Sequence, residues 1–143
     1  MSDAKVDVPR SFYVFGVLAL LWNLIGVAAY LADTMATAQT LASMPQAHQD
    51  FLAARPSWVI GVFAIAVFGG TLGCIMLLMR NALAVPLFAA SLIAAVLQNI
   101  YSFALADGLA VFGTAGLALP AMIIIVASAL LAYAQVNKKR GWI

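Results

Sequence analysis

The sequence predicts an all-α fold, an antiparallel four-helix bundle integral to a membrane, with a short amphipathic helical segment in its first outer loop. Three observations predict it. Of 143 residues, 66% are apolar and only 8% charged, where a water-soluble domain draws roughly 25% of its residues from Asp, Glu, Lys and Arg to cover its surface. All 7 basic and 5 acidic residues lie outside four uncharged apolar runs, residues 12–32, 57–79, 83–105 and 113–136. Each run reaches the roughly 20 residues a helix needs to cross a hydrocarbon core about 30 Å thick. Barrel strands need about half that length and alternate apolar with polar residues, which these runs do not. A mean hydropathy of +1.07 with a net charge of +2 also excludes disorder, which goes with low hydropathy and high charge.

Span one, residues 12–32, exceeds the about 7–15 apolar residues of a signal peptide and is expected to stay in the protein. The connection after it, residues 33–56, sets Met35, Leu41, Met44, Phe51 and Leu52 among polar residues. It is too polar to span and too apolar to float free, so one or two short amphipathic helices should lie on the outer surface or cap the bundle. Ser43 is the expected N-cap there and Pro45 an early helical residue. Pro56 opens span two, residues 57–79, at a position where its missing N–H costs little. Arg80, Asn81 and Ala82 alone join spans two and three, which makes those helices antiparallel neighbours. Span three, 83–105, has Pro86 in its first turn, and the short outer connection 106–112 leads to span four, 113–136. There Pro120, preceded by Gly113 and Gly116, predicts a kink or irregularity near the outer end, read as a bend more than as a transporter's broken helix. Residues 137–143 form the tail.

Helices in lipid associate through small residues and interhelical polar bonds. Span two offers Gly69 with Gly73 and Ala66 with Gly70, and span three offers Ala90 with Ala94 and Ser91 with Ala95. These faces are expected to pack on each other within the bundle, ahead of a homodimer seam. Lys5, Arg10, Arg80, Lys138, Lys139 and Arg140 fall on one side and only Arg55 on the other, so both termini are expected in the cytoplasm, with the chain in a bacterial inner membrane.

Asn23 sits mid-span in span one, and Gln98 and Asn99 sit towards the outer part of span three. Amides exposed to acyl chains would be left unpaired, so these must face protein or water. Either they line, with Thr71, a polar pocket for an uncharged ligand, or Asn23 simply bonds Gln98 or nearby backbone, which is the preferred reading. No ionisable residue lies within a span, which argues against proton relays, ion paths and voltage sensing. Cys74 is the single cysteine and cannot form an internal disulfide or a CxxC pair. Haem ligation in a bundle takes axial ligands, and the sole histidine, His48, is in the outer loop. Asp33, His48, Asp50, Arg55 and Asp107 lack metal-ligand spacing and read as surface charge. No catalytic, cofactor-binding or metal-binding residue is therefore expected, and no enzyme activity. Lys138, Lys139, Arg140 and Trp142 suit lipid headgroups, chiefly as topology anchors. Nucleic acid is not an expected partner; membrane lipids are, with a homo-oligomer or a larger membrane complex.

Residues 10–31 (RSFYVFGVLALLWNLIGVAAYL), 63–80 (FAIAVFGGTLGCIMLLMR), 106–120 (ADGLAVFGTAGLALP) and 138–143 (KKRGWI) resemble a family of small bacterial four-span membrane proteins that often carry the label "sugar transporter". The resemblance implies movement of a small neutral solute and supplies no catalytic or substrate-binding residue to carry over. Likeness to the small four-helix multidrug antiporters is in size alone, since those rely on a carboxylate within the membrane. Three functions follow as expectations. The first is a facilitator for a small neutral, sugar-like solute. The second is an accessory or assembly subunit of a larger membrane complex. The third is a protein that engages lipid or envelope.

Overall fold

The computed structural model describes residues 6–143, and regular structure among them is helical throughout. Helix α1 (Arg10–Thr34) is followed by the short helices α2 (Ala38–Ala42) and α3 (Gln46–Ala53), then by α4 (Ser57–Leu78) and α5 (Ala84–Ile100). A π-helical turn (Tyr101–Leu105) continues α5, and α6 (Gly108–Phe112), a 3₁₀ turn (Thr114–Leu117) and α7 (Ala118–Lys139) complete the chain. Four stretches, Arg10–Thr34, Ser57–Leu78, Ala84–Leu105 and Thr114–Lys139, are long and apolar enough to cross a membrane. Lys5, one of the basic residues weighed for orientation, lies outside the described residues.

Local chemistry sets the boundaries. Pro9 and Pro56, both in extended backbone, precede α1 and α4 and keep those helices from starting earlier. Helix α4 ends in a Schellman turn, with the Asn81 N–H on the Met76 carbonyl at 2.8 Å and the Arg80 N–H on that of Leu77 at 2.9 Å. Asn81 Oδ1 then accepts from the Leu83 N–H at 2.9 Å and turns the chain into α5. The same turn closes α7, where Trp142 N–H meets the Asn137 carbonyl at 2.9 Å and Gly141 takes φ +71°.

Glycine occupies the left-handed position in the second turn, but Arg80, at φ +58°, occupies it in the first. The guanidinium accounts for the exception. It donates to the Trp142 carbonyl at 2.8 Å and to the Val6 carbonyl at 3.0 Å, tying both ends of the chain to the α4–α5 turn. Arg80→Ala loses both bonds and keeps the unfavourable backbone, for an expected loss of about 2 kcal/mol. Arg80→Gly loses the bonds but regains roughly 1 kcal/mol of backbone relief. Thermal unfolding in detergent should therefore rank Gly above Ala at position 80; equal melting temperatures would show that the backbone there is unstrained.

Helix α1 packs on α4, α4 on α5, and α5 on α7. The row closes on itself at the end where Val6 and Trp142 meet Arg80, and there the Tyr133 ring of α7 lies 6.2 Å from Phe12 and 4.1 Å from Phe15 of α1. The core gathers there, around Phe12, Cys74, Leu77, Phe88, Leu130 and Ala134. Asn137 is fully buried beside it, with neither side-chain oxygen nor nitrogen hydrogen-bonded among the described residues. Elsewhere α1 and α7 turn large apolar side chains outward, with Leu18 61% and Ile125 68% exposed, as a lipid-facing helix does.

Several boundaries differ from those the sequence suggests. Span four, placed at 113–136, is an α-helix only from Ala118, and it runs on to Lys139. Gly113 at φ +67° interrupts the helix, and a 3₁₀ turn fills the interval. Pro120 consequently falls in the first turn of α7, where it breaks no hydrogen bond, and the expected proline kink is replaced by the glycine break upstream. The last five residues of span three are π-helical. In the loop, Ser43 is the C-cap of α2, not an N-cap; Thr37 caps that helix by accepting from the Thr40 N–H at 3.2 Å. Pro45 precedes α3 and does not belong to it.

Candidate functional site

Because α1 and α7 meet mainly at the Phe12–Tyr133 contact, the remainder of the space between them is unfilled. A cavity of 620 Å³ occupies it, within the roughly 300–1,000 Å³ of small-molecule sites. Phe88 and Leu130 lie at its base, beside the core. At the opposite end Phe51, Leu52 and Arg55 from the loop and Phe112 from α6 cover it. That cover is held by aromatic contacts, with the Phe112 ring 5.1 Å from Phe51 and 4.9 Å from His48.

Small residues create the room. On α4 the face of Ala66 and Gly70 lets α1 and α5 approach closely. A Cβ at Gly70 would collide with Asn23 Oδ1 and lie 3.2 Å from Ser91 Oγ. Gly69 lies against Ser91 and the Leu87 carbonyl, and Gly73 lies under the ring of Phe88. Ser91 Oγ crosses from α5 to donate to the Ala66 carbonyl. Ala94 is buried. Ala90, expected with it, is exposed. The buried strip of α5 runs through Ala84, Phe88, Ser91 and Ala95, and Ala90 sits about 100° around the helix from Ser91.

Of the four residues predicted to line a polar pocket, three reach the cavity: Asn23, Gln98 and Asn99. Asn23 Nδ2 donates to the Ala19 carbonyl at 2.9 Å and to Cys74 Sγ at 3.4 Å, not to Gln98. Asn99 Nδ2 donates to the Ala95 carbonyl at 2.8 Å. Gln98 has no side-chain hydrogen bond among the described residues. Thr71 is absent from the wall: one position past Gly70 it faces away, buried, with Oγ1 donating to the Val67 carbonyl at 2.8 Å.

Arg55 is the cavity-wall residue that sequence reasoning passes over as surface charge. Its Nη2 donates to Asp33 Oδ2 at 2.7 Å, with the two side chains only 13% and 20% exposed. Its Nε is buried with no acceptor among the described residues. It is also the one ionisable side chain on the cavity wall among the described residues. The available signal was position, since Asp33 and Arg55 directly flank spans one and two. Lys138, Lys139 and Arg140 are exposed at the other end. Trp142, grouped with them for headgroup contact, is turned inward: its ring stands edge-on to Phe12 at 6.0 Å, and the Arg140 guanidinium lies 5.0 Å over it.

No family model, curated protein or solved structure matches the chain. What the cavity can hold follows from its lining. Its walls are predominantly apolar, with a few amides and hydroxyls, and among the described residues they carry no Asp, Glu, His, Lys or Cys side chain. No cluster of three or more metal-ligating side chains occurs among the described residues.

Proposed function

We propose that this chain is a non-enzymatic protein of the bacterial inner membrane, with four antiparallel spans and both termini cytoplasmic, that holds one largely apolar molecule drawn from the bilayer. The orientation rests on Arg10, Arg80, Lys138, Lys139 and Arg140 at the terminal end of the bundle. The binding reading rests on one observation, the 620 Å³ cavity between two helices that do not pack along most of their length. A molecule diffusing in the membrane reaches such a site sideways, without crossing water. Phe88 and Leu130 at the base favour holding a ligand over conducting a sugar, because a neutral polar solute needs hydrogen-bonding partners along its whole path.

Ala127 lines the cavity from α7, so Ala127→Trp fills it from a position outside the buried core. The expected result by native mass spectrometry from mild detergent is a lipid-sized adduct on the wild-type chain and at least a tenfold lower occupancy on the variant, about 1.4 kcal/mol of binding. Unchanged occupancy in a variant of unchanged helicity would refute the reading.

A further inference from the structure

The cavity carries its ionisable side chain and most of its polar ones at one end, while Asn23 Nδ2 and Ser91 Oγ, further along the wall, are spent on bonds within the protein. The nature of the polar end specifies the occupant more closely than the reading above, on which this inference rests. Arg55, Gln98, Asn99 and Ser102 line the cavity towards the loop end, while Phe88 and Leu130 line the other. Gln98 to Phe88 spans ten residues of helix, about 15 Å at 1.5 Å per residue. One hydrocarbon chain laid along that length would put its head at Arg55.

The charge at the rim decides what that head is. Asp33 neutralises Arg55 at 2.7 Å and takes one of its five guanidinium donors, leaving a buried Nε–H that meets no acceptor among the described residues and, on the same cavity wall, an unbonded Gln98 amide. A carboxylate or phosphate would bring a second anion beside Asp33 in a poorly screened site. An ammonium would meet Arg55. A bare alkane would leave the polar rim unpaired. Uncharged oxygens avoid all three penalties.

We infer that the cavity binds a single-chain lipid with an uncharged hydroxyl or ester headgroup, and that the Asp33–Arg55 pair is the device that selects against charged heads. Asp33 is thereby a specificity-determining residue, although it does not itself line this cavity.

The test compares four probes of equal chain length on the detergent-purified protein by competition in native mass spectrometry: monolauroylglycerol, laurate, lauryltrimethylammonium and dodecane. Monolauroylglycerol should bind about tenfold more tightly than any of the others. Asp33→Asn keeps an acceptor for Arg55 but frees its charge, so laurate affinity should rise about thirtyfold and overtake monolauroylglycerol. Gln98→Leu, remote from the ion pair, should weaken monolauroylglycerol about fivefold and leave dodecane unchanged. Laurate binding best to the wild-type chain, or an order unmoved by Asp33→Asn, would overturn the inference while leaving lipid binding intact. If all four probes fail to bind, and Ala127→Trp likewise changes nothing, the underlying reading falls instead.

Discussion

Gly70→Val should lower the unfolding free energy by about 3 kcal/mol, at the upper end of what over-packing costs, as read by SDS titration in mixed micelles. Many helical glycines have room on one side; Gly70 has none. It is buried where α4 meets α1 and α5 together, and an added Cβ meets Asn23 Oδ1 on one flank and Ser91 Oγ at 3.2 Å on the other. Both neighbours are fixed. Asn23 Nδ2 is held by the Ala19 carbonyl and Cys74, and Ser91 Oγ by the Ala66 carbonyl. Relief therefore breaks a hydrogen bond or separates two helices. Gly16 provides the contrast, because the atom facing its absent Cβ is the Cδ2 tip of Leu78, which can rotate away. A second-site test isolates the cause. Asn23→Ala removes the colliding oxygen, so Gly70→Ala should be markedly less harmful in that background, with a coupling energy of about 1 kcal/mol in a double-mutant cycle. Additive losses would mean that Asn23 is not what Gly70 accommodates.

The four long helices were legible because the physics that places them is one-dimensional. A helix crossing hydrocarbon must be uncharged for about 20 residues, and every charged side chain here obliges. Short-range stop signals were less legible. Gly113 reads as a residue within span four until its φ of +67° is known, and it moves the helix start to Ala118. Lys138 and Lys139 read as tail, yet they are helical, because the cap that ends α7 is formed by Gly141 and Trp142.

The site was legible in its residues and not in their relations. Spacing marks two pairs alike, Gly69 with Gly73 and Ala66 with Gly70, and does not single out Gly70 as the residue wedged between two neighbouring helices. Amides announce themselves in apolar runs, so Asn23, Gln98 and Asn99 could be named; whether a hydroxyl such as that of Thr71 joins them depends on a rotation of about 100° that composition does not encode. Arg55 and Asp33 are 22 residues apart in sequence, and their pairing depends on how the loop folds over the bundle. The cavity itself is a negative feature. It exists because α1 and α7 touch near one end and not along their length, and no residue in either helix records that separation.

That contact near the termini makes Phe12→Ala the other large effect, with an expected loss of about 3 kcal/mol. Phe12 is 0% exposed, stacked on Tyr133 at an interplanar angle of 25° and met edge-on by Trp142 at 89°. In lipid little of a buried ring's value is transfer from water, since acyl chains are as apolar as the core. What remains is dispersion and the void left behind, which sets the estimate at the lower end of the roughly 3–5 kcal/mol seen for Phe→Ala in soluble cores. The consequence reaches beyond stability. Phe12 shares the core with Cys74, which is fully buried and is the single cysteine of the chain. Removing the ring should loosen α1 from α7 where they close, so labelling of Cys74 by a maleimide should quicken by about tenfold, the equivalent of 1.4 kcal/mol in the opening equilibrium. Phe15→Ala is the control. Phe15 lies closer to Tyr133, at 4.1 Å, but is 37% exposed and has no further aromatic partner among the described residues. It should cost about 1 kcal/mol and leave Cys74 protected. Rapid labelling in both variants would show that the bundle opens elsewhere, and that the Phe12 contact does not govern access to its interior.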